Sequence, residues 1–308
     1  MNWDSSEIAF FVQAALDEDI GAGDLTARAI VPAEARARAG ILARRAVVVA
    51  GLPLVGRVFR ALDPGARVES RLADGDEAPA DTVVAQVECG ARALVTGERT
   101  ALNLVCHLSG VATLTRAFVR AVAGTKTQIR DTRKTLPLLR ELEKYAVRMG
   151  GGVNHRMGLF DAMLIKENHI AAAGSVREAV RRARAFLPSP GGMAETTAYE
   201  SFAPPAARWD EAVPIQVEVR NEEEMREALD AGAASLLLDN MTPGEAGRLV
   251  RVARTLRAGC VLELSGGVTL ENVRAYAEAG ADYIAVGALT HSAPAADLSL
   301  LVESGPRL

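Results

Sequence analysis

Residues Asp131–His169 read DTRKTLPLLRELEKYAVRMGGGVNHRMGLFDAMLIKENH, and this stretch decides how the rest of the chain folds. From Arg130 to His169, eight Lys or Arg stand against five Asp or Glu, a local excess of +3 in a chain whose formal net charge is −4. A positive island in an acidic chain is typical of a site for a small polyanion, and less so of a surface that binds a long one.

The same stretch predicts its own local structure. The β-rich run 127–130 precedes Asp131, so the cations that follow lie where a strand ends. Apolar residues at helical spacing predict a helix over Leu138–Met149, and Gly150–Gly152 then ends it because glycine adopts the positive φ of a helix C-cap. A second apolar run, Ala162–Ile165, ends at Lys166.

Bulk composition excludes several classes of protein. At 308 residues and 49% hydrophobic, the chain can bury one large core and a second, smaller one. A net charge of −4 argues against nucleic acid as a partner. No apolar run reaches the ~18 residues that span a bilayer, and the N-terminus lacks the pattern of a signal peptide. Three cysteines without CxxC spacing are expected to be small buried residues in a reducing cytoplasm: Cys89, Cys106 and Cys260.

The first third of the chain predicts an antiparallel α+β domain. A helix over residues 5–18 is followed by several strands in a row, without a helix between each pair. The predicted strands are Ala39–Val49, Ala66–Leu72 and Thr82–Val87, with a short helix near Pro53–Leu62. A long helix over Ala91–Val122 comes next, with a break expected at Ser109–Gly110.

From residue 127 the pattern alternates between strand and helix, which predicts parallel strands joined by right-handed crossovers. Six apolar runs end at polar or small residues: Asp131, Lys166, Glu218, Asp239, Ser265 and Gly287. The helices between them are predicted at Leu138–Met149, Ser175–Leu187, Glu222–Ala231, Pro243–Leu256 and Leu270–Ala279. Functional residues at successive strand ends are the layout of a βα-barrel. Six strands are fewer than the eight of a complete barrel, so either the barrel is incomplete or two short strands escape the pattern.

Several segments together carry a resemblance to a known family. DTRKT, EKYAVR, GGGVNHRMGL and LIKENH, with the helical segment Glu98–Asn103, resemble quinolinate phosphoribosyltransferase, a type II phosphoribosyltransferase. The resemblance implies an α/β fold, with an incomplete parallel βα-barrel of about six strands behind an N-terminal α+β sandwich. It implies three parts: the sandwich over 1–112, the catalytic barrel over 113–289, and a C-terminal segment, 290–308, that packs back on the sandwich.

Two departures from the family pattern are visible. Residues 188–214 are rich in Pro, Gly, Ala and Ser, and we expect an inserted surface loop of undetermined role there. Leu138 follows Pro137 at a position where the family usually has glycine, beside the DTRK motif. This leucine leaves the reaction class unchanged but bears on substrate preference.

Three groups of residues at the strand ends carry the chemistry. The first is cationic and suits carboxylates or phosphates: Arg133, Lys134, His155, Arg156 and Lys166. The second is the carboxylate pair Glu218 and Asp239, which predicts either an internal salt bridge or contacts to ribose hydroxyls, directly or through a divalent metal. The third comprises glycine-rich turns that suit phosphate: Ser265, Gly266, Gly267 and Gly287.

The resemblance implies a reaction and a role for each group. Quinolinate and phosphoribosyl pyrophosphate, with Mg²⁺, would give nicotinate mononucleotide, pyrophosphate and CO2. Arg133, His155 and Arg156, beside Thr132, would bind the two pyridine carboxylates, and Arg99 would join them from the other subunit of a homodimer. Lys134 and Lys166 would neutralise the pyrophosphate, Glu218 and Asp239 would hold the ribose and any metal, and the glycine-rich turns would bind the 5′-phosphate.

Three other functions remain to be weighed. Zinc is disfavoured, because His155 and His169 lie fourteen residues apart without a cysteine partner. One rival is a related transferase, either of the nicotinate type or the protein found with molybdate-transport genes. Another is a non-catalytic subunit that binds nucleotide or phosphate, which the presence of all four of Lys134, Lys166, Glu218 and Asp239 argues against.

Overall fold

The computed structural model describes residues 1–186 and 214–303. Its helices are α1 (Ser6–Ile20), α2 (Leu25–Ile30), α3 (Leu52–Leu62), α4 (Ala91–Ala121), α5 (Arg140–Met149), α6 (Glu167–Ala173), α7 (Val176–Phe186), α8 (Glu222–Asp230), α9 (Pro243–Leu256), α10 (Val273–Glu278) and α11 (Ala288–His291). Its strands are β1 (Arg36–Ala43), β2 (Val47–Val48), β3 (Arg67–Ser70), β4 (Glu77–Ala78), β5 (Thr82–Gly90), β6 (Gln128–Arg130), β7 (Met163–Ile165), β8 (Ile215–Val219), β9 (Ser235–Asp239), β10 (Val261–Ser265), β11 (Tyr283–Ala285) and β12 (Leu298–Val302).

The chain divides into two compact units, each made of separate stretches of sequence. The first comprises Met1–Ala117, Thr135–Gly152 and Ala288–Leu308, and the second comprises Phe118–Lys134 and Val153–Gly287. The division differs from the predicted boundaries, because the stretch that contains α5 belongs to the first unit. All but Pro214 of the predicted insertion over 188–214 lies outside the described residues, so that insertion stays a prediction.

The first unit is built around a four-stranded antiparallel sheet in the order β12-β1-β5-β3. Strand β1 buries Ala39, Ile41 and Ala43, alternate residues that share one face of the pleat. At the sheet edge, β12 pairs with β1 from Ala43↔Leu298 to Ala39↔Val302. The C-terminal part of the chain therefore completes the sheet that the N-terminal part begins.

Helix α4 runs without interruption from Ala91 to Ala121, so the break predicted at Ser109–Gly110 is wrong. A β-carbon on Gly110 would lie 2.1 Å from the carbonyl oxygen of Pro294. Gly110 therefore lets a neighbouring segment approach the helix closely and does not end it. Ser109 stays in the helix as well, because its hydroxyl donates to Ala50 O at 3.2 Å.

By length and composition α4 is also the one helix among the described residues that could cross a membrane. Half of its most apolar 18-residue window is buried inside the protein. Leu94, Val105 and Leu108 lie in the core of the first unit, as expected for the central helix of a globular domain. Cys89 and Cys260 are buried, as predicted, whereas Cys106 is only half-buried, and burial raises the pKa of the Cys89 thiol to about 11.

The second unit contains six parallel strands in the order β6-β11-β10-β9-β8-β7. The first two strands of this unit along the chain, β6 and β7, lie at opposite edges of the sheet. This order is expected for a barrel that is not closed between β6 and β7. An isolated parallel bridge joins Val153 to Arg130 of β6, which adds a one-residue seventh member at that edge. The predicted fold class is confirmed: an antiparallel domain followed along the chain by an incomplete parallel βα-barrel. Within the described residues, the sequence analysis missed no full-length strand of this barrel.

Helix boundaries agree with the prediction to within two residues, except in the central stretch and at the start of α10. α9 spans Pro243–Leu256 as predicted, but α5 begins at Arg140 and leaves Leu138 outside. Leu138 has φ +65°, which a helix cannot accept, and its side chain is 94% exposed. Gly150 has an ordinary φ of −70°, and Gly151, at φ +91°, makes the turn. Gly150 is small for another reason: a β-carbon there would lie 2.5 Å from Ala112 O on α4.

Candidate active site

All predicted site residues except Arg99 lie in the second unit, and most lie where its strands end. Lys166 directly follows β7, Glu218 is the last residue but one of β8, and Asp239 ends β9. Ser265 ends β10 and pairs in parallel register with Asp239. Because all six strands run in the same direction, these residues share one end of the sheet.

Lys166 and Glu218 form an ion pair across neighbouring strands. Nζ of Lys166 donates to Oε2 of Glu218 at 2.8 Å. The carboxylate is mostly buried, with its side chain 13% exposed, whereas Lys166 is 47% exposed. The salt bridge that the sequence left as an alternative for Glu218 is therefore present, and an anionic ligand would compete for the lysine.

Asp239 lies within electrostatic range of three other charged site residues. Burial, and then the negative charge of Glu218, raise the pKa of the Asp239 carboxyl, while Lys166 and, more weakly, Lys134 oppose the rise. Two carboxylates and two lysines therefore meet at this point. Such an opposed arrangement is typical of sites that handle charged ligands.

The carboxylate pair fits a metal ion that is bound by few protein ligands. Among the described residues, no group of three or more His, Cys, Asp or Glu could hold a metal ion. Magnesium is usually bound through one or two carboxylates together with the phosphates of a substrate. Glu218 and Asp239, whose like charges raise the pKa of Asp239, fit a cation that arrives with a phosphorylated ligand.

Two arginines of the second unit lie close enough to repel each other. Burial, and then the positive charge of Arg133, lower the pKa of Arg156. Nη1 of Arg156 also donates to Ala162 O at 3.0 Å, which fixes the direction of the guanidinium. Two adjacent guanidinium groups suit a ligand with two carboxylates, since each can bind one of them in a bidentate manner.

Asp131 ties the loops of these two arginines together. Its side chain is fully buried, and its Oδ1 accepts a hydrogen bond from His155 N at 2.8 Å. Its Oδ2 accepts from the amide of Asn154. The sequence analysis used Asp131 only as a strand end, although an aspartate two residues before a pair of cations is a signal that could have been used.

The sequence interpretation missed a polar layer inside the barrel. Arg130 ends β6, whereas Gln216 on β8 and Glu263 on β10 each stand between two apolar residues. The signal of Gln216 and Glu263 was available, because a polar residue between apolar neighbours in a strand belongs to the barrel interior or to a mistaken strand. His155 reaches this layer, with its Nε2 3.1 Å from Oε1 of Gln216.

The glycine-rich turn after β10 is shaped by close contact with the turn after β9. Gly266 and Gly267 have φ of +100° and +60°, and a β-carbon on Gly266 would lie 2.1 Å from Oδ1 of Asn240. The next helix, α10, begins only at Val273, later than the predicted Leu270. The helix N-terminus therefore does not follow the glycines directly, and any phosphate contact would come from the turn itself.

Gly287 and Arg99 are the remaining predicted site residues, and His169 lies beside Lys166. Gly287 follows β11 by two residues, at the strand end where the sequence placed it. Arg99 lies on α4, in the first unit, and its contribution to the site stays a prediction. His169 takes the role of orienting the loop at Lys166, since its Nδ1 accepts from Lys166 N at 2.9 Å.

Known structures first show which fold the chain shares. A human nicotinic acid phosphoribosyltransferase matches at a TM-score of 0.60, covering 96% of this chain and 74% of that one. At 15% identity this likeness shows the fold alone.

More similar proteins identify the family. Residues 24–109 match the family profile "Quinolinate phosphoribosyl transferase, N-terminal domain", and residues 111–203 and 204–301 match that of the C-terminal domain. A nicotinate-nucleotide pyrophosphorylase [carboxylating] from Mycobacterium leprae is 44% identical, with 94% of this chain and 95% of that protein covered. The structure of the nicotinate-nucleotide pyrophosphorylase from Francisella tularensis matches at a TM-score of 0.84 and 35% identity, over 96% of each chain. The chain belongs to the quinolinate phosphoribosyltransferase family.

Proposed function

We propose that this protein transfers the phosphoribosyl group of phosphoribosyl pyrophosphate to quinolinate, with loss of CO2, to give nicotinate mononucleotide and pyrophosphate. This reaction supplies NAD biosynthesis. One observation carries the proposal: at one end of the sheet, two mutually repelling arginines occur in the same unit as a carboxylate pair flanked by two lysines. Quinolinate has two carboxylates, and the sugar substrate has hydroxyls and phosphates, so the two charge groups match the two substrates.

The arginine side is the acceptor side. Arg133 and Arg156, with Thr132 and His155 beside them, bind the two carboxylates of quinolinate. A neutral or single-carboxylate acceptor would leave one of the two guanidinium groups without an anion, which costs free energy in a partly buried site. This argument favours quinolinate over nicotinate.

The lysine side is the donor side. Lys166 leaves its ion pair with Glu218 when the pyrophosphate enters, and Lys134 shares the same negative charge. Glu218 and Asp239 then hold the ribose hydroxyls. The turn at Ser265, Gly266 and Gly267 and the segment at Gly287 bind the 5′-phosphate through backbone N–H groups.

The chemistry is mainly electrostatic. As the bond between ribose C1 and pyrophosphate breaks, positive charge develops on the ribose and negative charge on the leaving group, and Lys134 and Lys166 stabilise the latter. The pyridine nitrogen then bonds to C1. With the ring nitrogen quaternised, the C2–carboxylate bond breaks, CO2 leaves, and the electron pair on C2 takes up a proton. No side chain is assigned as a general base.

Magnesium belongs to the donor side of this proposal. Glu218 and Asp239 would hold, directly or through water, an ion bound to phosphoribosyl pyrophosphate, and that ion would supply neutralisation of part of the phosphate charge. We also propose a cytoplasmic homodimer in which Arg99 of one subunit completes the acceptor site of the other. Analytical ultracentrifugation and mixed dimers of Arg99→Ala with Lys166→Ala subunits test this arrangement, since only mixed dimers would regain an intact site.

The deciding experiment supplies the purified protein with quinolinate, phosphoribosyl pyrophosphate and Mg²⁺, and follows CO2 and nicotinate mononucleotide together. A parallel reaction contains nicotinate in place of quinolinate. Product from quinolinate alone supports the proposal, and equal amounts of both products are expected. Product from nicotinate alone would move the protein to the rival transferase. Binding of phosphoribosyl pyrophosphate without turnover of either acceptor would support a binding subunit and direct attention to Leu138.

A further inference from the structure

A layer of polar side chains crosses the interior of the barrel beneath the acceptor side of the site. Arg130, Gln216 and Glu263 come from β6, β8 and β10, which alternate with β11 and β9 in the sheet. Alternate strands contribute side chains to the same interior layer of a parallel barrel. Glu263 is fully buried and Gln216 is 6% exposed, so the layer is shielded from water.

Glu263 is the centre of this layer. Its Oε2 accepts hydrogen bonds from Nη1 of Arg130 at 2.8 Å and from Nε2 of Gln216 at 3.0 Å. Its Oε1 has no hydrogen bond in the described structure, and His155 Nε2 lies 3.5 Å away. The guanidinium of Arg130 also lies 3.7 Å above the ring of Tyr283. Arg130 therefore supplies the positive charge that a buried carboxylate requires beside it.

The donors and acceptors in this layer fix the direction of every hydrogen bond. Gln216 turns its NH2 group towards Oε2 of Glu263 and its carbonyl oxygen towards His155. That oxygen lies 3.1 Å from His155 Nε2, which must therefore carry the proton. Nδ1 of His155 accepts from Arg156 N at 2.7 Å, as the same tautomer requires.

The fixed ring connects the interior layer to the loop that carries Arg156. The backbone N–H of His155 donates to Asp131, and the backbone N–H of Arg156 donates to the His155 ring. These two hydrogen bonds fix the backbone at His155 and at Arg156. A change in the orientation of the ring would release the Arg156 N–H. The guanidinium of Arg156, directed at Ala162 O, would then lose part of its support.

We propose that Glu263 is a positioning residue for the acceptor site: through Gln216 it fixes the Nε2–H tautomer of His155 and, with it, the loop that presents Arg156. The inference rests on the proposed function, because the acceptor is taken to be quinolinate. Glu263 itself is buried within the polar layer and has no contact with substrate. Its effect is therefore expected on binding of the acceptor and not on binding of phosphoribosyl pyrophosphate.

The kinetic test uses Glu263→Gln and a matched control. The new amide would place its NH2 group either against Arg130 and Gln216 or towards the protonated Nε2 of His155, and it removes the charge that faces Arg130. We expect the KM for quinolinate to rise about tenfold, since the loss of a charged buried hydrogen bond costs about that factor. The KM for phosphoribosyl pyrophosphate should change less than about twofold.

The control is Asp282→Asn, which removes a carboxylate of the same unit at the opposite end of the strands. Asp282 precedes β11 and accepts from Nη2 of Arg254 at 2.7 Å. Its loss should lower stability without changing either KM selectively. Equal effects of the two variants on both KM values, or an unchanged KM for quinolinate in Glu263→Gln, would overturn the proposal.

A milder variant keeps the test valid if Glu263→Gln does not fold. Gln216→Met leaves the Arg130–Glu263 ion pair in place and removes the two hydrogen bonds of the Gln216 amide, one to Glu263 and one to His155. The KM for quinolinate should still rise, by about threefold, because the His155 ring loses the acceptor that fixes its tautomer. No rise in this folded variant would overturn the proposal.

A spectroscopic test does not depend on the reaction. The chain has four histidines, so ¹⁵N-histidine labelling of the full protein gives few ring signals, and His155 is assigned by its loss in His155→Asn. At pH 8 the wild-type ring should show the Nε2–H pattern, and Gln216→Met should shift it towards a mixture of tautomers. A wild-type ring in the Nδ1–H form, or identical spectra, would contradict the proposal. If the wild type failed to use quinolinate but Gln216→Met still showed the tautomer shift, the proposed function would fail. The control of the His155 tautomer by Glu263 and Gln216 would nevertheless be supported.

Discussion

Each of the two units contains one fully buried glutamate that faces a histidine, and the two differ in how completely they are satisfied. In the first unit, Glu143 accepts from Nε2 of His107 at 2.8 Å and from Leu136 N at 3.1 Å, so both of its oxygens are used. In the second unit, Oε1 of Glu263 has no hydrogen bond in the described structure, and the nearest histidine nitrogen is 3.5 Å away.

The difference separates a structural carboxylate from one associated with a site. Glu143 joins α5 to α4 and holds the backbone at Leu136, and a saturated buried group of this kind contributes to stability alone. Glu263 lies beneath the loop that carries His155 and Arg156, and its Oε1 has no hydrogen bond in the described structure. Buried polar groups without a partner are uncommon, and this one fits the positioning role proposed for Glu263.

The largest expected effect concerns Arg156, above the Glu263 layer of the second unit. Arg156→Ala removes the guanidinium that the Glu263 layer supports, and kcat/KM for quinolinate should fall by about 10³ or more, as loss of a bidentate charged contact predicts. The fold should persist, because Arg156 lies in a loop. Steady-state kinetics and circular dichroism check both points.

Arg156→Lys is the control for this prediction. It keeps the charge and loses the planar fork, so its activity should lie between wild type and the alanine variant. Near-normal kinetics in Arg156→Ala would remove Arg156 from the acceptor site.

The next effect concerns the stability contributed by Glu143 in the first unit. Glu143→Gln turns an NH2 group towards either His107 or Leu136 N, and the free energy of unfolding should fall by about 2 kcal/mol, the cost of an unsatisfied buried polar group. Both KM values should stay within about twofold of wild type. Urea unfolding followed by fluorescence measures the first quantity. Glu141→Gln, on the exposed face of the same helix, should be neutral, and a KM effect specific to quinolinate in Glu143→Gln would break the comparison.

A smaller effect concerns the pH dependence of stability at Asp239, whose pKa is raised by burial and by Glu218. A raised pKa means that the native state holds the proton more tightly than the unfolded state does. Stability from this group is therefore complete below the ordinary pKa of aspartate and is lost as the pH rises through the raised pKa. Asp239→Asn should accordingly melt about 1–2 °C above wild type at pH 7.5, with the difference shrinking towards pH 4.

Differential scanning fluorimetry across this pH range, with kcat measured in parallel, checks the prediction, and kcat should fall sharply. Asp230→Asn, at an exposed helix end, serves as the control and should show neither effect. A melting temperature for Asp239→Asn below that of wild type at pH 7.5 would contradict the assigned repulsion.

The smallest effect lies at Leu138, where a leucine has a positive φ. Leu138→Gly removes the steric cost of a β-carbon in this conformation and adds the entropy cost of glycine, for a net gain of about 0.5 kcal/mol. Leu159→Gly, at another exposed leucine whose φ is not positive, should instead destabilise the protein. Equal losses in urea unfolding for both variants would show that the Leu138 conformation carries no strain.

Much of the site could be predicted because strand ends are a local property of sequence. Apolar runs that stop at a polar residue placed Lys166, Asp239 and Ser265 where the structure has them. Glycine misled the prediction at Gly110, which was taken as a helix break, whereas it allows another segment to approach closely. Gly150–Gly152 end α5 as predicted, with the positive φ at Gly151.

The sequence by itself determined the order of strands and helices, the clustering of cations in residues 131–169, and the family. These depend on residue spacing and on local motifs. Only the tertiary structure decided that α5 belongs to the first unit, that Arg133 and Arg156 repel each other, and that Glu263 directs Gln216 and His155. These are contacts between residues far apart in the chain, and their hydrogen-bond directions follow from burial, which no local pattern records.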